Sequence, residues 1–96
     1  MTPYTDINRS DLEISRIFDS KIESEDLMWH RDLEDRILYP VGETDWMIQM
    51  DDELPKSIEP GTYIQAGVWH RLIKGSGELR IRIEINNTEH AQSKNI

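Results

Sequence analysis

Between Glu34 and Ile85, apolar and polar residues alternate in three short runs of this 96-residue chain. The apolar members of the runs are Ile37, Tyr39 and Val41, then Trp46, Ile48 and Met50, then Leu79, Ile81, Ile83 and Ile85. A period of two is typical of a half-buried β-strand. Turn-forming residues separate the runs at Gly42-Glu43, Asp51-Asp52, Pro60-Gly61 and Gly75-Ser76-Gly77. Short strands with turns at this spacing predict a mainly β protein, an antiparallel sandwich or barrel.

The two ends of the chain lie outside this pattern. Near the N-terminus a short helix capped by Ser10-Asp11 is favoured by the helical spacing of Ile14, Ile17, Phe18 and Ile22. An extended start is also permitted, by Leu12, Ile14 and Arg16. The polar, aperiodic residues 87–96, which include His90, predict a flexible tail. We therefore divide the chain into an N-terminal arm (1–26) on or beside the β domain, the β domain (27–86) and the tail (87–96).

Composition excludes several classes of protein. The chain has no cysteine, which excludes disulfides and thiolate metal sites and suits a cytoplasmic protein. It has no apolar run long enough to cross a membrane and no secretory signal at residues 1–10, so we expect no membrane partner. A formal net charge of −8 argues against nucleic acid as a partner, because phosphate contacts need a surplus of Lys and Arg.

The tripeptide Trp-His-Arg occurs twice, at residues 29–31 and 69–71, and supplies two of the three histidines. Each copy fits a short strand, in which His faces inward while Trp and Arg face outward. Three carboxylates follow the first copy, on Asp32, Glu34 and Asp35. Two inward imidazoles and a carboxylate predict a mononuclear metal site.

The stretch from Trp29 to Lys74 resembles a small single-domain cupin. Gly61 to His70 is similar to the second cupin signature, with Gly67 and His70 in their expected places and Gln65 where the family has Pro. In the first signature, His30 matches the second His, Asp35 the Glu and Gly42 the Gly, whereas Met28 replaces the first His. The chain also resembles small cupins encoded by marine bacteria and T4-like phages, in the short segments Trp-His-Arg-Asp, Glu-Asp-Arg, Glu-Leu-Pro and His-Arg-Leu-Ile-Lys-Gly. The resemblance implies a cupin-like antiparallel β-barrel or jelly roll (a double-stranded β-helix) and, for a phage protein, the host cytoplasm.

The resemblance also implies a ligand set. In a cupin barrel His30 and His70 would face one cavity, with Asp35 as the preferred third ligand. Plain strand alternation instead puts Asp32 and Glu34 on the face of His30. Asp32 is the main alternative, because His30-x-Asp32 with a distant His70 also resembles the triad of 2-oxoglutarate oxygenases, and Glu34 is the next. Such a set suits Fe(II), which we prefer slightly, or Mn(II), Ni(II) or Zn(II).

Three functions fit these residues. The first is a metal-dependent dioxygenase, isomerase or lyase acting on a small polar molecule, which inward-facing Tyr39, Gln49 or Gln65 would help to orient. The second is a module that binds a small ligand or a metal without turnover. The third is a metal-free structural or regulatory dimer, and we expect a homodimer because a short chain with three Trp gains core by pairing. Arg36, Arg80 and Arg82 are candidates for clamping an anionic substrate.

Overall fold

The computed structural model describes residues 2–86, which form eight strands in two open antiparallel sheets. The strands are β1 (Thr5–Arg9), β2 (Glu13–Phe18), β3 (Asp35–Pro40), β4 (Met47–Met50), β5 (Lys56–Ser57), β6 (Thr62–Ile64), β7 (His70–Ile73) and β8 (Leu79–Asn86). The larger sheet has the order β1-β2-β8-β3-β6 and the smaller one β5-β4-β7. This cupin-like sandwich confirms the predicted jelly roll. The whole of the predicted tail (87–96), His90 included, lies outside the described residues.

The core lies between the two sheets. Its largest fully buried side chains come from β2, β4, β8 and the residue before β4, and they are Ile14, Ile48, Leu79 and Trp46. The Trp46 indole N–H donates to the Gly77 carbonyl oxygen at 3.1 Å, so this buried ring leaves no donor unpaired. The runs predicted around β4 and β8 are therefore confirmed as strands with their apolar residues inward.

The third run forms strand β3, but with the opposite face inward. Leu38 is 4% exposed and belongs to the core, whereas Val41 is 64% exposed. Tyr39 lies on the outer face, opposite Arg82 of β8, whose guanidinium stacks 4.2 Å from the centre of the Tyr39 ring. The prediction that Ile37, Tyr39 and Val41 form the buried side of this strand is wrong, because Leu38 packs into the core and its odd-numbered neighbours therefore face outward.

The helix favoured near the N-terminus is also not formed. Residues Glu13–Phe18 are strand β2, paired with β8 along its whole length, and alternate residues Ile14, Arg16 and Phe18 are buried. The Ser10 hydroxyl accepts the backbone N–H groups of Leu12 and Glu13, and thereby closes a β-turn and caps no helix. The 3₁₀ turn Ser24–Asp26 is the one helical element of residues 2–86. No helix in that range is long and apolar enough to cross a membrane.

Candidate metal site

The two Trp-His-Arg segments lie side by side and antiparallel. His30 and His70 form a reciprocal backbone pair, in which each N–H donates to the other's carbonyl oxygen at 2.8 to 2.9 Å. Paired residues of an antiparallel ladder send their side chains to the same face. The two rings therefore meet on the inner side, with centroids 4.3 Å apart.

The outward residues of the two segments also pair. The Arg71 guanidinium lies 4.8 Å from the Trp29 ring centre, and that of Arg31 lies 5.1 Å from the Trp69 ring centre. These cross-strand cation–π contacts follow from the same register, which sets residue 29 opposite 71 and residue 31 opposite 69. The two His side chains share one face and the Trp and Arg side chains the other, as the repeat predicts; His70 is buried at 3% exposure, whereas His30 is exposed to solvent.

Each imidazole is held through its Nδ1 atom. Nδ1 of His30 lies 3.1 Å from the carbonyl oxygen of Met28, and Nδ1 of His70 lies 2.8 Å from that of Val68. A carbonyl oxygen can only accept, so Nδ1 carries the proton in both neutral rings and Nε2 keeps a free lone pair. This is the arrangement that orients histidine for metal binding through Nε2.

Asp32 is the carboxylate beside these rings. One ligand atom from each of His30, Asp32 and His70 lies within 4.8 Å of the others. Asp32 Oδ2 is 3.3 Å from His70 Nε2. Two ligands bound at about 2.1 Å to one tetrahedral or octahedral ion are themselves about 3.0 to 3.4 Å apart. The Asp32–His70 spacing fits one shared ion.

Asp32 Oδ2 is buried and has no hydrogen-bond partner among the described residues. Its other oxygen, Oδ1, lies 3.5 Å from the Arg36 guanidinium, which Glu34 also binds at 2.9 Å. Burial opposes ionisation of Asp32, but a hydrogen bond from His70 in its protonated form and the Arg36 charge outweigh it and lower the pKa of Asp32. When His70 is neutral with its proton on Nδ1, its Nε2 offers Oδ2 no donor. A buried, ionised oxygen without a donor is costly unless a cation completes it. The residues present therefore fit a divalent metal ion.

The preferred ligand Asp35 lies elsewhere. It is the first residue of β3 and has opposite strand parity to Leu38, so it faces away from the cavity between the sheets. Its Oδ1 accepts the Ala66 N–H at 2.7 Å, and its carboxylate raises the pKa of Tyr63. The bond to Ala66 fixes the turn from Gln65 to Val68, in which Gly67 has the positive φ of 81° that glycine adopts most easily. The structure thus brings Asp32, the main alternative, to the two imidazoles and gives Asp35 a backbone-anchoring contact. Glu34 binds Arg36.

A cavity of about 470 Å³ adjoins the cluster. His30, Asp32 and His70 line it together with Arg36 and apolar residues from both sheets, among them Leu38, Ile48, Ile64, Leu72, Ile81 and Ile83. Its volume is in the range of small-molecule sites. The three polar side chains predicted to orient a substrate do not line it. Tyr39 and Gln49 lie on outer faces, where Gln49 bonds Arg71, and Gln65 is exposed.

One cavity residue carries a charge that sequence reasoning did not single out. Arg16 is buried on the inner face of β2 and lines the cavity. In a strand, residues 14, 16 and 18 share one face, so a strand assignment would have placed Arg16 inward with Ile14 and Phe18. The helix predicted for this segment does not put these three residues on one face. Arg80 and Arg82, by contrast, are on the outer face of β8 in surface pairs with Glu78 and Glu84.

Comparisons with known proteins agree on the fold. The structure is similar to protein NMB1881 from Neisseria meningitidis, with a TM-score of 0.57 and 22% identity over 86% of this chain and 82% of that one. It is similar to a cupin domain (bp2299) from Bordetella pertussis Tohama I, with a TM-score of 0.57 and 18% identity over 86% and 91% of the two chains. Both likenesses show a cupin-like fold.

A third similar structure is the Co(II) form of HppE in complex with Tris buffer, with a TM-score of 0.60 and 14% identity. The match covers 86% of this chain and 52% of HppE, so the chain spans about half the length of that protein. An Fe(II) form of HppE is also similar in fold, with a TM-score of 0.57 and 16% identity. No protein-family model matches the sequence, and neither does any curated protein. The resemblance to cupins of marine bacteria and T4-like phages stays a prediction.

Proposed function

We propose that this chain is a small metal-binding cupin in which His30, Asp32 and His70 hold one divalent ion and the cavity admits a small polar molecule to it. The observation that carries the proposal is the buried, unpartnered Asp32 Oδ2 beside two imidazoles whose Nδ1 atoms are already committed to carbonyl oxygens. Fe(II) is preferred because two His and one carboxylate with open positions are typical of non-haem iron sites. HppE, a neighbour in fold that binds Fe(II) and Co(II), supports a metal of this class.

A bound ion would supply Lewis acidity and open positions for a substrate oxygen or O₂. The chain's own residues do the rest. The Met28 and Val68 carbonyl oxygens hold the two imidazoles in one tautomer, and Arg36 holds Asp32 Oδ1. Apolar side chains from both sheets form the rest of the cavity wall. The enzyme class that this site supports is a metal-dependent dioxygenase, isomerase or lyase, and a cytoplasmic location is part of the proposal.

Elemental analysis tests the metal site. The protein would be prepared without a histidine tag, loaded anaerobically with Fe(II) or Zn(II) and passed through a desalting column, beside His30→Ala and His70→Ala. His90→Ala is the matched control, since it removes the third histidine of the chain. We expect near-equimolar metal in the wild type and in His90→Ala, and loss of it in the other two variants. Wild-type protein that retains no metal after loading would contradict the proposal.

The alternative function is a metal-free structural or regulatory homodimer. It is favoured by Trp29 and Trp69, which are 38% and 43% exposed on one outer face. Aromatic residues are enriched in interfaces. Sedimentation equilibrium of the wild type and of Trp29→Ser separates these functions. A dimer that Trp29→Ser dissociates, in a protein that binds no metal, would favour the alternative.

A further inference from the structure

The inner face of β2 carries one charged residue among apolar ones. Arg16 lies between Ile14 and Phe18, is 8% exposed and lines the cavity. A guanidinium loses hydration when it is buried, and an apolar side chain would pack at this position without that loss. The charge at Arg16 therefore needs a compensating partner.

Part of the compensation comes from Asp6, the residue opposite Arg16 in the β1–β2 ladder. Asp6 Oδ1 accepts from Arg16 Nε at 2.7 Å, and Oδ2 accepts from Arg16 Nη2 at 3.3 Å. Arg9 also donates to Asp6 Oδ2, at 3.2 Å. One carboxylate is thus shared by two guanidinium groups, which leaves a net positive charge. Among residues 2–86, no acceptor binds Nη1 of Arg16.

The cavity as a whole has more positive than negative residues in its wall. Its charged lining residues are Arg9, Arg16, Arg36, Asp26 and Asp32. Three arginines against two aspartates stand out in a chain with 11 basic and 19 acidic residues. A bound divalent ion would add to this excess. The excess lies at the Arg16 end, where Arg9 and Arg16 share the single carboxylate of Asp6, whereas Arg36 is balanced by Asp32 and Glu34. This end of the cavity therefore attracts anions although the protein as a whole repels them.

Arg16 is well separated from the metal cluster. Across β8, Arg16 pairs with Ile81 and Arg36 pairs with Ile85, so their backbones are two strands and four residues apart. Those steps correspond to about 17 Å along the sheet. Both side chains extend into the cavity, where Arg36 contacts Asp32 and Arg16 stacks 3.5 Å from the Tyr4 ring centre. The Arg16 backbone thus belongs to a different part of the cavity wall from the metal cluster.

We propose that the substrate or ligand of this cavity is a small organic oxyanion, with a carboxylate or phosphate group that binds Arg16 at one end and an oxygen that faces the metal cluster at the other. Only the placement of the ligand oxygen at the metal cluster rests on the proposed function; the anion site at Arg16 does not. The guanidinium binds such groups through paired N–H donors, and the apolar walls strengthen the contact. Asp6 then both holds Arg16 in place and competes with the ligand for its N–H donors.

An NMR titration tests the proposal. Succinate and glycerol 3-phosphate are added to ¹⁵N-labelled protein, with and without Zn(II), and succinamide serves as the neutral analogue of succinate. The variants are Arg16→Gln, Arg16→Lys and, as matched control, Arg80→Gln, which removes the same charge from the outer face. A dispersed spectrum before the titration shows that each variant is folded.

We expect at least one anion to shift the Arg16 Nε–H signal and succinamide not to shift it. Arg16→Gln should weaken the binding by about 10- to 100-fold, the usual worth of a hydrogen bond to a charged group. Arg16→Lys should weaken it less, and Arg80→Gln should leave it unchanged. Preference between the two anions distinguishes a carboxylate from a phosphate ligand. Failure of both anions to bind the wild type, or equal binding by Arg16→Gln, would overturn the proposal.

Asp6→Asn gives a test that a purely structural role for Arg16 would not pass. Asparagine keeps an acceptor for Arg16 Nε but removes the competing charge, so the anion should bind several-fold more tightly. Unchanged or weaker binding by folded Asp6→Asn would also overturn the proposal. Anion binding at Arg16 in a protein that takes up no Zn(II) would instead contradict only the proposed metal site.

Discussion

The cavity has two polar regions, and each contains one partly buried aspartate. In the metal cluster, Asp32 Oδ2 has no hydrogen-bond donor. In the arginine cluster of Asp6, Arg9 and Arg16, both oxygens of Asp6 accept from guanidinium groups at 2.7 to 3.3 Å. In both aspartates burial opposes ionisation, and neighbouring cationic groups nevertheless lower the pKa below its ordinary value.

The difference lies in the capacity that remains for a ligand. Both oxygens of Asp6 accept hydrogen bonds from arginines of the protein, and these bonds hold β1 against β2. Asp32 keeps one lone-pair direction unused, and the two Nε2 atoms beside it do the same. In this molecule, a low carboxylate pKa alone does not separate a structural aspartate from a candidate ligand, whereas unpaired acceptors do.

The largest effect should separate Asp32 from Asp35, two carboxylates three residues apart. We expect Asp32→Ala to weaken Zn(II) binding at least about 100-fold, or about 2.7 kcal/mol, because it removes one of three ligands. The free energy of unfolding of the metal-free variant should lie within about 1 kcal/mol of the wild type, because Oδ2 has no donor and Arg36, which is 3.5 Å from Oδ1, keeps its closer contact with Glu34. Competition with a chromophoric chelator and urea unfolding in EDTA measure the two quantities.

Asp35→Ala is the matched variant and should behave in the opposite way. It leaves the Ala66 N–H without its acceptor, so the free energy of unfolding should fall by about 1 to 3 kcal/mol while Zn(II) affinity stays within a few-fold. If Asp35→Ala abolished metal binding at full stability and Asp32→Ala did not, the cluster of His30, Asp32 and His70 would not be the metal site.

These two aspartates also show how far the sequence could lead. The repeated Trp-His-Arg tripeptide predicted both inward imidazoles, because alternation in a strand is a local property. The choice of carboxylate was not local. It depended on whether Asp35 begins a regular strand, with the parity set by buried Leu38, or belongs to a corner as the cupin signature implies. In the structure Asp35 begins a regular strand and faces away from the rings, and Asp32, three residues earlier, lies beside them.

Arg16 illustrates a second limit. The apolar residues at 14, 17, 18 and 22 fit a helix and a strand about equally in so short a window. Pairing of all of β2 with β8 decided for the strand, and that pairing joins residues 61 to 71 positions apart. Only in the strand does Arg16 share a face with Ile14 and Phe18. A functional inference from this position therefore required the tertiary structure.

A smaller effect should come from Asp6 and depend on pH. Since the pKa of Asp6 in the folded state lies below its ordinary value of 3.8, its ionised form stabilises the fold above that value. The contribution is lost as pH falls through 3.8 toward the folded-state pKa. We expect Asp6→Asn to cost about 1 to 2 kcal/mol near neutral pH and progressively less below about pH 4. Urea unfolding of both proteins in EDTA across this range measures it, and a cost that grew on acidification would contradict the assigned pairing.

The smallest effect should come from the outer side of the two Trp-His-Arg segments. Arg31→Gln removes one cation–π contact, that with Trp69, and should lower the free energy of unfolding by about 0.5 kcal/mol. Arg71→Gln should cost about 1 kcal/mol, because Arg71 Nε also donates to Gln49 Oε1 at 3.0 Å. Zn(II) affinity should be unchanged in both, since the backbone bonds between His30 and His70 already fix the two rings. A large loss of affinity in either variant would mean that the outer contacts, and not those backbone bonds, hold the imidazoles in place.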